Sequence, residues 1–284
     1  MYLCTRQAPG ECCWSLFRAR DQTADSPITD YPSPMLVLVT DTSGKDGFVG
    51  LVRAGDQGAS VDVIDEIALA GGTFSAQLVP QVSELLEKHR LSKGSIDAFV
   101  VVSGPGSFTG LRVGLAAIKA LAEILQKPIV PVSLLEVLAL TSLMIVAAED
   151  GSEPAPNHYA VALDAGRGEA FVGEYEVSGE AENSIKSVGE SLLKFEDLIN
   201  LLASGTARWI ATPDQTVFDA LNRNVPEFQK RFIRRNLRRP RSLEVALRGC
   251  QKLKAGETVL PEQLDANYIR RSGAEIFSKP ATGS

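Results

Sequence analysis

The first half of the chain alternates between strand and helix patterns from Met35 onwards. The continuous apolar run MLVLVT predicts a strand buried on both faces, and DGFVGLVRAG and VDVIDEIAL predict two more strands. An amphipathic pattern begins at Phe74 and places Leu78 and Val82 on one helix face. The strand DAFVVVSG, a helix of small residues, the strand PIVPVS and a helix over Leu134–Ala148 follow. This βββαβαβα order predicts a mixed β-sheet flanked by helices.

A polar segment with prolines, EDGSEPAPN at residues 149–157, interrupts the pattern and predicts a boundary between two lobes. After it, HYAVALDAG and GEAFVGEYEV predict a strand pair, and the remaining pattern predicts helices with one short strand between them. Strands again precede helices, so the second half resembles a smaller version of the first. We therefore predict an N-terminal lobe over residues 35–150 and a smaller C-terminal lobe over 151–284.

Residues 1–34 show neither the strand pattern nor the helix pattern of apolar positions. They mix polar residues, prolines and cysteines, and such a composition buries too little apolar surface to become ordered. We predict a flexible N-terminal extension. Met35, where the regular pattern begins, is an alternative start of translation, and the sequence leaves both interpretations open.

Composition narrows the function classes. The 284 residues carry a net charge of −6, which argues against nucleic-acid binding driven by the overall charge of the protein. No apolar run approaches the roughly 20 residues that span a bilayer. The 4 cysteines form no CxxC pair, the 2 histidines form no paired metal motif, and no long apolar leader opens the chain. We predict a cytoplasmic protein without a metal site and without contact to membranes.

The glycine-rich turn GPGSFTG, which connects a strand to a helix, has two interpretations. Glycines followed by a helix N-terminus suit an anion, but the spacing GxGxxxG fits neither the dinucleotide fingerprint nor the P-loop. The alternative is a tight turn with close packing. Gly110, Gly114 and Ala117 give the helix a flank of small residues, and we expect a helix of a partner chain to approach it.

The stretch GPGSFTGLRVG closely resembles the signature of the TsaB (YeaZ) family. LVTDTS, PIVPVSLLEVLA and NYIRRSGAEI are similar to further motifs of that family. FSAQLVP and LDAGRGEAF are also similar, with Phe74 where histidine is usual, Gly166 in the place of an arginine and Phe171 for tyrosine. The resemblance covers most of residues 35–277.

The resemblance implies an α/β fold that is actin-like (ASKHA, ribonuclease H-like), with two lobes. It also implies a non-catalytic scaffold that activates TsaD in the synthesis of threonylcarbamoyladenosine, in tRNAs that read codons beginning with adenine. The ATPase TsaE would join the complex, and the surface that binds TsaD could also form a homodimer. The chain would reach tRNA only through the complex. No cofactor of its own is implied, and ATP or ADP would bind only at the interface of the complex.

Three groups of residues are candidates for these contacts. We expect the partner interface at Phe74, Leu78, Val82, Gly110, Arg112, Val113, Gly114 and Ala117. Residues expected near any nucleotide are Asp41, Thr42, Ser43, Gly104, Gly106 and Ser107. Within the basic run at residues 230–241, the candidates for tRNA contact are Arg234, Arg235, Arg238 and Arg239, although such a run is more often a solvated surface.

Catalysis by the chain alone is the alternative. A small-molecule kinase or ATPase of the same superfamily would use Asp41, which otherwise caps its own turn. Asp164 and Glu169 fit a hairpin better than an acid–base pair, and Ser107 lies in no GxSxG motif, so an M22-type peptidase-like protein gains no support. We assign no catalytic and no metal-binding residue.

Overall fold

The computed structural model describes residues 34–55, 60–148, 157–177, 185–203, 209–225 and 237–269. The first 33 residues of the predicted extension, and residues 149–156 of the predicted boundary, lie outside these ranges. No helix in the described ranges is long and apolar enough to cross a membrane.

Five strands form the first sheet in the order β3-β2-β1-β4-β5. β1 is antiparallel to β2, which is antiparallel to β3, while β1–β4 and β4–β5 are parallel. Every residue of β1 and β4 is buried, since helices cover both faces of the sheet. The strands are β1 Met35–Asp41, β2 Asp46–Ala54, β3 Val61–Ala70, β4 Ala98–Gly104 and β5 Ile129–Ser133.

The faces of this sheet are covered by two pairs of helices, and alternation along β1 decides which side chain meets which pair. Leu36 and Leu38 pack with α1 (Phe74–Lys88) and α2 (Phe108–Leu125). Met35, Val37 and Val39 face the other way and pack with α3 (Leu134–Ala148) and α6 (Ser242–Lys254). The predicted order βββαβαβα is therefore confirmed.

The second sheet has the order β8-β7-β6-β9. Its strands are β6 His158–Gly166, β7 Glu169–Val177, β8 Ile185–Lys194 and β9 Trp209–Ala211. One face packs against α4 (Phe195–Ala203) and α5 (Gln215–Asn224). The other face sends Tyr159 and Tyr175 into the same core as α3, so this helix lies between the two sheets.

The last helix, α6, returns to the first sheet although it follows the second in sequence. It contacts β1 to β5, and Gly249 lies so close to Val100 that a Cβ there would be 2.4 Å from Val100 Cγ1. Glu66 on β3 accepts hydrogen bonds from Ser242 N at 2.8 Å and Ser242 Oγ at 2.6 Å. Burial acts to raise the pKa of Glu66. The hydrogen bonds from Ser242 and Arg241 together outweigh burial, so the pKa of Glu66 is lowered overall. After the second sheet, the chain thus returns from the predicted C-terminal lobe to the first sheet.

Candidate functional site

The turns that follow β1 and β4 are joined to each other by hydrogen bonds. Ser107 N donates to Ser43 O at 2.6 Å, and Ser107 Oγ caps α2 by accepting from Gly110 N at 3.3 Å. A Cβ on Gly106 would lie 2.3 Å from Ser43 O, so the glycine permits this approach. The glycine turn therefore packs one loop of the chain against another.

The small-residue flank of α2 contacts the same loop. A Cβ on Gly110 would lie 2.1 Å from Thr42 O, and one on Gly114 would lie 2.1 Å from Thr42 Oγ1. Thr42 Oγ1 donates to Gly110 O at 2.8 Å, and both glycines are buried. The prediction that Gly110 and Gly114 seat a partner helix is wrong, because the space beside them is filled by Thr42 of the same chain.

The predicted interface residues of α1 are also occupied within the chain. Phe74, Leu78 and Val82 are buried in the core between α1, α2 and the first sheet. The apolar stripe of an amphipathic helix faces its own sheet, so these side chains are not available to a partner. Their prediction as interface residues is wrong for this reason.

α1 and α2 still expose a different apolar surface, which we name the α1/α2 face. Val79 is 44% exposed and Ile124 is 77% exposed, while Val113 and Ala117 of the predicted interface are partly buried. On α2 these positions follow helical spacing and form one stripe. The α1/α2 face comprises Val79, Val113, Ala116, Ala117, Ala120 and Ile124.

A cleft of about 950 Å³ opens where the two sheets approach each other. The loop after β1, the glycine turn, the end of β6 and residues 267–269 line it, together with Arg239. Of the six residues expected near a nucleotide, Ser43, Gly106 and Ser107 line the cleft. Asp41, Thr42 and Gly104 are not among its lining residues.

Three backbone donors of the two loops are used within the chain. Ser43 N donates to Asp41 Oδ1 at 2.7 Å, Ser107 N to Ser43 O, and Gly110 N to Ser107 Oγ. Asp41 is buried; burial raises the pKa of its carboxyl, and the hydrogen bonds from Ser43 and the charge of Arg239 oppose this. Asp41 thus caps its own turn. These contacts favour the packing interpretation of the glycine turn over the anion-binding one.

The candidate carboxylate Asp164 also has a structural partner. Asp164 Oδ1 accepts from Gly166 N at 2.7 Å in a hairpin where Gly166, Arg167 and Gly168 have positive φ. Across the residues that the structure describes, no three His, Cys, Asp or Glu side chains are grouped to hold a metal ion.

The candidate tRNA contacts are divided between described and undescribed residues. Arg234 and Arg235 lie outside the described ranges. Arg238 pairs with Glu244 at 2.9 Å, and Arg239 lies 3.8 Å from Asp214 at the cleft. Contact of this run with tRNA stays a prediction.

The segment at residues 264–269, named here the C-terminal strap, is the part of the site that the residue pattern missed. Asn267 and Tyr268 line the cleft, and Asn267 N donates to Ser103 O at 2.7 Å. Tyr268 contacts α2 through the ring of Phe108 and the guanidinium of Arg112. The resemblance of NYIRRSGAEI to a family motif was the available signal, but no local pattern indicated where the strap would pack.

Comparison with known proteins agrees with this architecture. Residues 68–232 match the family described as TsaD: tRNA N6-adenosine threonylcarbamoyltransferase. The tRNA threonylcarbamoyladenosine biosynthesis protein TsaB of Haemophilus influenzae is 32% identical over 116 residues, which cover 41% of this chain and 47% of the relative. TsaB of Escherichia coli is 25% identical over 249 residues, covering 84% of this chain and 96% of the relative.

The chain thus spans about half the length of the Haemophilus relative and nearly all of the Escherichia one. The solved structure of YeaZ from Pseudomonas aeruginosa is 23% identical and has a TM-score of 0.61, with 82% of this chain and 99% of that chain covered. That likeness confirms the actin-like α/β fold. The chain therefore belongs to the family described as TsaD, and it is similar to the proteins named TsaB and YeaZ.

Proposed function

We propose that this chain is an accessory subunit in the synthesis of threonylcarbamoyladenosine in tRNA, and that it acts by binding a TsaD-type transferase. The names of its relatives support the pathway. The observation that carries the accessory role is the closure of the two cleft loops on each other, through Thr42 to Gly110 and Ser107 to Ser43. Thr42 Oγ1 and Ser107 N are thereby engaged in holding the lobe together.

The α1/α2 face is the surface that we propose for the transferase. It lies on two packed helices that already shield the first sheet, so its own side chains are free to be buried by a partner. Small side chains at Ala116, Ala117 and Ala120 allow a helix of the partner to approach closely. Burial of Val79 and Ile124 would supply the apolar driving force.

We also propose where the remaining members of the complex bind. A homodimer would use the α1/α2 face as well, so it would compete with the transferase. We place TsaE, and any ATP or ADP, at the assembled complex and not in the cleft of this chain alone. Contact with tRNA would then be made through the complex, in the cytoplasm where tRNA is modified.

A charge placed on the exposed stripe tests the proposal. We expect Ile124→Asp to weaken binding to the TsaD-type chain of the same organism at least tenfold, because a carboxylate would be buried in an apolar contact. Isothermal titration calorimetry measures the affinity. In a reconstituted reaction with TsaD, TsaE and the threonylcarbamoyl donor, product should fall in parallel.

Val188→Asp is the matched control. Val188 is 54% exposed on β8 of the second sheet, remote in sequence from α1 and α2, and the same substitution there should leave affinity and product unchanged. Equal binding by wild type and Ile124→Asp would contradict the docking surface. Transfer of the threonylcarbamoyl group by the purified chain alone would contradict the accessory role.

A further inference from the structure

Two side chains of the first turns of α2 form a cluster with one side chain of the C-terminal strap, and the docking surface alone does not explain it. The guanidinium carbon of Arg112 lies 3.7 Å from the centroid of the Phe108 ring. Arg112 Nε donates to Tyr268 Oη at 3.1 Å, and the rings of Phe108 and Tyr268 are 5.2 Å apart between centroids. Arg112 is thus held by a cation–π contact on one side and a hydrogen bond on another.

The position of Tyr268 is itself fixed by the fold. The preceding residue, Asn267, donates its backbone N–H to Ser103 O at 2.7 Å, at the end of β4. The side-chain amide of Asn267 donates to Glu190 Oε2 on β8 at 2.6 Å. The strap therefore carries Tyr268 to α2 from two anchored contacts, one on each sheet.

The cluster leaves the end of the guanidinium available. Arg112 is exposed, and no ion pair joins it to a carboxylate within the part of the chain that the structure describes. Its Nε donates to Tyr268, and within the described residues no hydrogen bond is recorded from its terminal N–H groups. Two such N–H groups match the two oxygens of a carboxylate, and charge-assisted pairs of this kind are stronger than neutral hydrogen bonds.

Arg112 is also continuous with the α1/α2 face. Ala116 follows Arg112 by one helical turn, so the exposed stripe begins one turn after Arg112 on α2. A long side chain loses rotamer freedom when it binds, and Arg112 has already lost much of it to Phe108 and Tyr268. The geometry is that of a preorganised polar anchor at the edge of an apolar contact.

We propose that Phe108, Arg112 and Tyr268 form a binding site for an aspartate or glutamate side chain of the partner that docks on the α1/α2 face. Arg112 contacts the carboxylate, and Tyr268 is a positioning residue that acts through Arg112. This inference rests on the proposed function, since the carboxylate belongs to the TsaD-type chain.

A double-mutant cycle tests it with the full-length chain and the TsaD-type chain of the same organism. We expect Arg112→Ala to weaken binding about tenfold or more. Tyr268→Phe keeps the ring but removes the hydroxyl that orients Arg112, and we expect a loss of about threefold to fivefold. In the Arg112→Ala background Tyr268→Phe should have no further effect, because its role passes through the guanidinium.

Salt dependence and a conservative variant separate positioning from simple stability. The loss caused by Arg112→Ala should shrink as the salt concentration rises, since the pair is partly exposed. Arg112→Lys keeps the charge without the fork of N–H groups, so its affinity should lie between wild type and Arg112→Ala. Arg223→Ala is the matched control, because Arg223 is an exposed arginine on α5 whose Nε also donates within the chain; it should not change the affinity.

Each outcome decides a separate claim. Additive losses in the double mutant, or unchanged affinity in Arg112→Ala and Arg112→Lys, would overturn the carboxylate site while the docking proposal stands. Failure of the wild-type chain to bind the TsaD-type chain would overturn the proposed function itself. Unchanged melting temperatures of the variants exclude unfolding as the source of a loss.

Discussion

Gly114 is in contact with Thr42 at a distance that only glycine permits. Glycine inside a helix costs about 0.5–1 kcal/mol relative to alanine, so its presence in the interior of α2 needs a compensating contact. The compensation is the approach of Thr42, whose hydroxyl hydrogen-bonds to Gly110 O one turn away. One side chain thus fixes the distance between α2 and the loop after β1.

Gly114→Ala should therefore destabilise the protein, although alanine has the higher helix propensity. The new Cβ would lie 2.1 Å from Thr42 Oγ1, so Thr42 must move, and we expect a loss of about 1–3 kcal/mol in the free energy of unfolding. Urea denaturation measures it. Gly189→Ala on β8 is the control, since a Cβ there meets nothing within 4 Å. Equal stability of Gly114→Ala and wild type would contradict the contact.

At the scale of elements, ion pairs attach helices to the edge of the first sheet. Asp65 on β3 receives Lys88 Nζ at 2.6 Å and His89 Nε2 at 2.8 Å, both from the end of α1. Hydrogen bonds from Lys88 and then His89 lower the pKa of Asp65 to about 2. The contact joins an edge strand to the helix that covers it.

A depressed pKa makes this contact sensitive to acid. In the unfolded chain the pKa of aspartate is about 3.9, so the stabilisation is complete above that pH and is lost as pH falls towards about 2. We expect the difference in melting temperature between wild type and Asp65→Asn to be largest near neutral pH and to shrink below pH about 4. Asp62→Asn, on the exposed part of the same strand, should show a smaller difference. A difference that is constant from neutral to acidic pH would contradict the assignment.

How much of the fold the sequence predicts depends on where the partners of each element lie. Apolar stretches of suitable length predict β1, α3 and β6 correctly, because elements buried on both sides are apolar almost throughout. β8 was missed, since IKSVGESLLK is polar, contains glycine and lies at an exposed edge. The glycine flank of α2 was recognised as close packing, but its neighbour Thr42 lies 68 positions earlier, and no local pattern could identify it.

At the scale of the whole molecule, one carboxylate joins both sheets and the C-terminal strap. Glu190 Oε1 on β8 accepts from Ser133 Oγ at 2.5 Å and from Tyr175 Oη at 3.0 Å. Its Oε2 accepts from Asn267 Nδ2 at 2.6 Å. Burial, and then the negative charge of Glu190, raise the pKa of Tyr175, which keeps the phenol protonated as a donor. The lobes are therefore connected by more than the chain between them.

Glu190→Gln tests this connection. An amide cannot accept at both oxygen positions, so at least one of the donors loses its partner, and we expect a loss of about 1–3 kcal/mol in stability. Hydrogen exchange should increase in the strap and at the end of β5 together. Glu176→Gln, at an exposed position on β7, is the control. Faster exchange limited to β8 would contradict a joint between the lobes.

The return of α6 to the first sheet also has a consequence for synthesis on the ribosome. Val37, Val39 and Val100 belong to strands made early, yet the helix that completes their cover is made near the end of the described chain. Until α6 is made, α3 covers only part of that face, and the rest of its apolar surface stays exposed. Chaperones commonly bind growing polypeptides at such a stage. We expect chains that end before Ser242 to aggregate, because the part of the sheet that α6 covers would remain exposed as apolar surface.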